Sequence, residues 1–315
     1  MERREFLKAT AAGLAGTMAS GPLKAEEKKG IPRRDLGRTG EKLSIVGLGG
    51  MLVVGMTQEA ATKTVRKAIE RGVNYFDVAP TYGNGEAEER LGPALEGHRD
   101  KIFLACKTTE REKAGAEKEL KRSLQRLRTD KLDLYQLHAL TKKEEVEKAL
   151  GPGGALEAFV DAKKKGIVRF IGFSAHSVEA ALLAMDRFDF DTILFPINWV
   201  CWSQGDFGPQ VLEAARKKGM GCLALKAMAR TPWPEGAKRD HPKCWYQPAG
   251  DPEEARLALR FTLSEPITAA VPPGDERLFE LALSVAEEFK PLSEEERKAL
   301  LARAAGLQPI FRHEA

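Results

Sequence analysis

Cysteine and histidine are scarce in this chain: four cysteines and five histidines occur in 315 residues. Cys106, Cys201, Cys222 and Cys244 fall in no C-x-x-C spacing and have no paired histidines nearby. Neither a zinc site nor a disulfide framework is indicated, and no metal is expected. Long apolar runs are missing too: no stretch of about 18 apolar residues follows the first 25, so no membrane span is expected in the body. Neither sign of charge dominates. Lys and Arg number 50 against 46 Asp and Glu, and half of the resulting +4 comes from Arg3, Arg4, Lys8 and Lys24 set against Glu2 and Glu5. A body this close to neutrality has no electrostatic footprint for nucleic acid. Hydrophobic residues, by contrast, make up 43%, enough for a sizeable core, which excludes disorder, collagen and coiled coil.

Residues 1–30 read as a unit apart from residues 31–315. Arg3-Arg4-Glu5-Phe6-Leu7-Lys8 precedes a mildly apolar, alanine-rich stretch from Ala9 to Ala19, and a charged linker follows at 26–30. At about 11 residues the apolar stretch is too short to span a bilayer. A basic start, a weak apolar centre and small residues near Ala19 or Ala25 match a cleavable targeting segment. The Arg-Arg-x-Phe-Leu-Lys string resembles a twin-arginine signal, although Glu2 stands where Ser or Thr is usual. That resemblance implies transport of the folded protein by the twin-arginine (Tat) translocon to a periplasmic or otherwise exported location. The other reading is a disordered cytosolic tail with a chance arginine pair.

From residue 43 onward, short aliphatic runs alternate with amphipathic helical patterns. The expected strands are Leu43–Leu48, Val73–Phe76, Ile102–Cys106, Leu132–Leu137, Phe170–Phe173, Thr192–Phe195, Gly221–Leu225 and Ala269–Val271. Between them, sets such as Ala61, Val65, Ala68 and Ile69 recur at helical spacing. Eight strand-then-helix units over about 240 residues suit a closed parallel (β/α)8 TIM barrel of the α/β class, since parallel neighbours need crossover helices. A doubly wound sheet is the alternative. Residues 31–42 suit a hairpin capping one end, and Ser293-Glu-Glu-Glu296 opens an extra C-terminal helix to about Ala305. Three long connections, 139–154, 199–209 and 227–251, follow strands and so belong at the C-terminal mouth of the barrel, where active sites of this architecture lie.

Polar residues collect at that mouth. Asp77, Lys107 and His138 end the second, third and fourth strands, and Tyr82 follows in a turn-rich loop. A charge entering an apolar barrel is costly unless paired or functional, and Asp77 and Lys107 lie on neighbouring strands. A phenol with an ordinary value near ~10 is a poor acid at neutral pH, and Lys107 is expected to lower it. Asp77 would keep Lys107 protonated, and His138 would hydrogen-bond the oxygen of a bound carbonyl. Individually these residues also have ordinary structural readings: an ion pair, a packed imidazole, a covering tyrosine.

The segment from Gly72 through Asp77 and Tyr82 to Glu88, Leu91 and Gly92 closely resembles the Asp/Tyr block of the aldo-keto reductases. Phe103-Leu-Ala-Cys-Lys107-Thr and Asp133-Leu-Tyr-Gln-Leu-His138 are similar to that family's lysine and histidine blocks, and the likeness spans about residues 31–305. It implies an NAD(P)(H)-dependent oxidoreductase that interconverts a carbonyl and an alcohol, with catalytic Asp77, Tyr82, Lys107 and His138 and with Tyr82 as proton donor. On the cofactor side, Gly50 and Met51 are expected at the end of the first strand. Ser174 matches the family's Ser-Asn pair while Ala175 does not, so His176 is the substitute. Asn198 stands where many members carry Gln. Leu225-Lys226 replaces Tyr-Ser, giving up aromatic stacking, while Lys226 can meet a pyrophosphate. Gly274 opens the last barrel helix, and Arg277 can contact a 2′-phosphate or the adenine face. This tips the reading slightly toward NADP over NAD, against the pull of Asp275 and Glu276 toward a free ribose diol.

Trp199, Trp202, Trp233, Trp245 and Tyr246 in the long connections suit a sugar or other polyol, or else merely pin loops to the barrel. Two other functions stay open on sequence: a Schiff-base lyase using Lys107, and a non-catalytic barrel that binds nicotinamide.

Overall fold

A computed structural model describes residues 30–313. Among the described residues the twelve strands are β1 (Arg33–Asp35), β2 (Lys42–Ser44), β3 (Leu48–Gly49), β4 (Tyr75–Asp77), β5 (Phe103–Thr108), β6 (Leu132–Leu140), β7 (Val168–Ala175), β8 (Thr192–Pro196), β9 (Gly221–Leu225), β10 (Ala229–Pro232), β11 (Tyr246–Pro248) and β12 (Ala269–Val271). Eight of them, β3 to β9 and β12, form one parallel sheet in chain order. A parallel bridge between Val46 and Ala270 joins its two edges, with Gly47 N–H donating to Ala270 O and Ala270 N–H to Ile45 O. The result is the expected (β/α)8 barrel and not a doubly wound sheet.

The helices are α1 (Gln58–Glu70), α2 (Glu86–Ala94), α3 (Lys113–Arg126), α4 (Lys143–Leu150), α5 (Ala155–Lys164), α6 (Val178–Arg187), α7 (Trp199–Gln204), α8 (Pro209–Lys217), α9 (Pro252–Ser264), α10 (Glu276–Glu287) and α11 (Glu294–Arg303). Their apolar stripes pack outside the barrel. In α1, for example, Ala61, Val65 and Ala68 are buried, and the Thr57 hydroxyl caps the start by accepting from Ala60 N. Ser293 and Glu296 form the expected capping box of α11.

The first strand differs from the sequence reading. Leu43 and Ser44 belong to the hairpin strand β2, which pairs antiparallel with β1, and the barrel strand itself is only Leu48–Gly49. Ser44 makes the division: its N–H donates to Asn74 Oδ1 at 2.7 Å and its hydroxyl to Val46 O at 2.8 Å, turning the chain. The hairpin sends Leu36 and Leu43 into the barrel interior with Tyr75, Phe103, Leu134, Leu194 and Leu223. The end opposite the mouth is thereby plugged.

The long connections are more ordered than their composition suggests. Residues 139–154 contain α4, whose start is capped by Glu145 accepting from Thr141 and Lys142 backbone N–H groups. Residues 199–209 contain α7, and 227–251 contain the antiparallel pair β10 and β11. Among the described residues no helix is long and apolar enough to cross a membrane.

Candidate active site

Strand alternation builds the site. Residues two apart on a strand share a face, so Tyr75 and Asp77 on β4 and Gln136 and His138 on β6 point together toward the barrel axis, with Lys107 between them on β5. Tyr82 arrives from the loop after β4, at the start of a tight turn Tyr82–Gly85. Gly85 has φ 97°, a left-handed conformation that strains any residue with a side chain, so glycine suits the turn that presents the tyrosine.

The Lys107 ammonium is fully buried and is paired with Asp77 Oδ1. It also donates to the Val78 carbonyl at 3.2 Å and lies 3.4 Å from the Tyr82 hydroxyl. The second Asp77 oxygen accepts from Tyr75 Oη at 3.2 Å and from Gln136 Nε2 at 3.3 Å. Burial opposes the charge on Lys107, yet Asp77, with Tyr82 beside it, outweighs burial and holds the amine above the ordinary lysine range. The expected lowering of the Tyr82 phenol is overturned. Lys107 does pull it down, but burial pushes it up by more, so its net shift is upward and the phenol stays protonated. The His138 ring meets that of Tyr82 edge-on with centroids 5.8 Å apart. Burial, with Lys107 nearby, depresses the His138 imidazole to about 2, so the ring is neutral.

These four side chains line a cavity of about 290 Å³ at the mouth. Met51, Ser174, His176, Leu225, Lys226 and Gly274 line it as well. Ser174 accepts from Ala139 N–H at 2.8 Å, which leaves its hydroxyl hydrogen to offer. His176 stacks on Phe311 with centroids 5.1 Å apart, and its Nε2 is buried without a partner. Burial lowers this imidazole to about 3. Lys226 has φ 66°, a left-handed conformation unusual for a non-glycine residue, and its ammonium faces the rings of Trp245 and Tyr246, each at 5.4 Å. No carboxylate pairs with it among the described residues, and burial lowers the amine to about 8.

Three expected cofactor residues do not line this cavity. Gly50 packs against Val78 and Ala87 beneath the turn Gly50–Val53, leaving Gly49 and Met51 at the cavity. Asn198 is fully buried and caps α7, its Oδ1 accepting from Val200 N and Cys201 N and its Nδ2 facing Cys201 Sγ. Arg277 lies on the outer face of α10, where it meets Asp275, the Asp240 carbonyl and His241.

The tryptophans also divide. Trp199 is buried with Phe261 and Leu300, and Trp202 packs edge-on against Phe261, so both pin the barrel. Trp233 Nε1 donates to the Cys244 carbonyl at 2.9 Å, and Trp245 and Tyr246 form part of the cavity wall. Sequence reasoning missed Tyr75 and Gln136, which the period-two alternation on β4 and β6 would have revealed. It also missed Phe311, whose ring joins His176, Phe207 and Trp245.

The cavity suits a nicotinamide dinucleotide. It offers an unpartnered buried imidazole nitrogen, a hydroxyl with a free hydrogen and an ammonium without a carboxylate, in a cleft where Lys107, Lys226 and Lys243 outnumber Asp77. Among the described residues no group of three or more His, Cys, Asp or Glu side chains is arranged to hold a metal ion. All four cysteines are buried and free.

A (β/α)8 barrel with a lysine bridging an aspartate and a tyrosine at its mouth, and a neutral histidine beside them, defines a class of carbonyl oxidoreductases. The chain belongs to the aldo/keto reductase family, whose family model matches residues 45–251. It is an NAD(P)-dependent oxidoreductase that interconverts carbonyls and alcohols. It is similar to the oxidoreductase YqkF of Bacillus subtilis (strain 168), 26% identical over 306 residues that cover 85% of this chain and 95% of that protein. It is also similar to the L-galactose dehydrogenase of Arabidopsis thaliana, 28% identical over 214 residues, 63% of this chain and 66% of that one. Its fold matches the holo form of the aldo-keto reductase AKR11C1 from Bacillus halodurans with a TM-score of 0.70 at 24% identity, over 90% of this chain and 98% of that one.

Proposed function

We propose that Tyr82 is the proton donor in the reduction of a small aldehyde, ketone or sugar carbonyl. The observation that carries this is the Lys107 ammonium set between Asp77 and the Tyr82 hydroxyl on the cavity wall. A protonated phenol beside a permanent cation has a proton to give and a partner for the charge that giving it leaves behind. The neutral His138 can offer an N–H to the carbonyl oxygen and orient it. The dinucleotide, when bound, supplies or accepts the hydride. Ser174 and His176, which line the cavity, would hold its carboxamide, and Lys226, with the backbone around Gly274, would meet its phosphates.

A Schiff-base role for Lys107 is disfavoured by its partners. Its ammonium meets Asp77, the Val78 carbonyl and Tyr82 and is held protonated, whereas an imine-forming amine must be free and neutral. The aromatic wall of Trp245 and Tyr246 supports a polyhydroxylated substrate, as does the likeness to a relative named for L-galactose.

The Arg3-Arg4 string supports export of the folded protein through the twin-arginine translocon to the periplasm or an equivalent compartment; it lies outside the described residues. Purified enzyme given reduced nicotinamide dinucleotide and a panel of aldehydes, ketones and aldoses should consume the cofactor with at least one substrate class. Absence of turnover across the whole panel, with a folded protein, would contradict the reductase reading.

A further inference from the structure

We propose that Asp275 makes this enzyme selective for NAD(H) over NADP(H), because its own carboxylate fills the place where a 2′-phosphate would have to be held. The inference rests on the nicotinamide cofactor reading above and deepens it. With Tyr82 and His138 marking the reacting end, the cavity continues past Lys226 to Val271, Pro272, Pro273 and Gly274. Lys226 follows β9 and Val271 to Gly274 run from the end of β12, the seventh and eighth barrel strands, where barrels of this kind hold phosphate groups. The wall there leads directly to the first turn of α10.

At a free helix N-terminus the unpaired backbone N–H groups would welcome a phosphate. Here two of them are already taken. Asp275 Oδ1 accepts from Arg277 N at 3.0 Å and from Leu278 N at 3.2 Å. Its Oδ2 lies 2.9 Å from His241 Nδ1 and 3.3 Å from Arg277 Nη2. Burial works against the charge on Asp275, but these donors outweigh it and hold the carboxyl below the ordinary range, so it is ionised. Arg277, the cation that a 2′-phosphate would need, is committed to this carboxylate and to the Asp240 carbonyl at 2.9 Å. Glu276 adds a second acidic side chain in the same turn. A phosphate brought here would displace the cap and face two carboxylates, whereas a ribose diol can donate to Asp275 Oδ2, the discrimination that acidic residues make in dinucleotide sites. Lys226 and Gly274 meet the part that both cofactors share and do not discriminate.

The test is direct binding to the purified full chain, with no turnover required. NADH and NADPH are each titrated against the intrinsic fluorescence of the protein, whose Trp245 lines the cavity. NADH should bind about tenfold or more tightly than NADPH, since a phosphate is disfavoured beside like charges. Asp275→Ser keeps a capping hydroxyl but removes the charge, and should narrow the ratio at least about fivefold, chiefly by strengthening NADPH. Arg277→Ala, at an exposed position, should cause no selective loss of NADPH. Equal or tighter binding of NADPH by the unaltered protein, an unchanged ratio in Asp275→Ser, or a selective tenfold NADPH loss in Arg277→Ala would each overturn the proposal while leaving the cofactor reading intact. If neither dinucleotide binds, both fall.

Discussion

The Lys107 ammonium stands 3.4 Å from the Tyr82 hydroxyl, yet the phenol is harder to ionise than a free tyrosine. Burial and the Asp77 carboxylate push up while Lys107 pulls down, and the upward push is the larger. In the proposed mechanism the cation therefore serves less to make a phenolate in the resting site than to receive one when the proton leaves. Lys107→Met removes the downward pull. The alkaline limb of the reduction rate, where the donor loses its proton, should move to higher pH while kcat falls steeply because the developing phenolate has lost its partner. A pH–rate profile measured on both proteins checks this, and an unmoved limb with unchanged kcat would count against the pairing.

The two cavity histidines are held neutral, at about 2 for His138 and about 3 for His176. Neither should titrate between pH 4 and pH 8 by NMR, and neither should give the rate an acid limb in that range. Because an unfolded histidine takes up its proton near ~6.5 and the folded ones do not, the unfolded state binds more protons below that pH. Stability should therefore decline as pH falls from about 6.5, and thermal melts across that window would show it. A His138 resonance titrating near the ordinary histidine value would contradict the burial argument.

Beneath the reacting groups, Tyr75 and Gln136 both donate to Asp77 Oδ2. They touch no cavity space and act through Asp77. Tyr75→Phe and Gln136→Leu should each cost about 1 kcal/mol of positioning, a fall in kcat of about fivefold with KM nearly unchanged. Steady-state kinetics decide, and a rise in KM at constant kcat would assign these residues to binding instead.

Much of this arrangement is legible in the sequence because each key residue sits at the end of a strand whose apolar run is easy to see. Asp77, Lys107 and His138 follow from that placement, and Tyr82 from the turn after β4. Tyr75 and Gln136 were equally accessible through alternation. Asn198 misleads because an asparagine after a strand reads as a ligand contact, when the Trp-Val-Cys-Trp run behind it makes it a helix cap. Phe311 could not be placed at all: its partners His176, Phe207 and Trp245 come from three distant segments that only the folded barrel brings together. Nor does a sequence show whether burial or a neighbouring cation wins at a phenol, since both depend on the finished packing.

The proposed export route turns on Arg3 and Arg4. Replacing both by Lys should leave folded, active enzyme in the cytoplasm, measured by cell fractionation and activity. Equal extracytoplasmic amounts of the two versions would reject the twin-arginine route.

The most direct test of the account is Tyr82→Phe, which removes one oxygen and keeps the ring against His138. With a confirmed carbonyl substrate, the rate of reduction should fall by about 10²–10⁴-fold, the usual worth of a positioned acid, while the affinity for the dinucleotide stays within about twofold. Near-normal turnover in that variant would show that the proton comes from somewhere other than Tyr82.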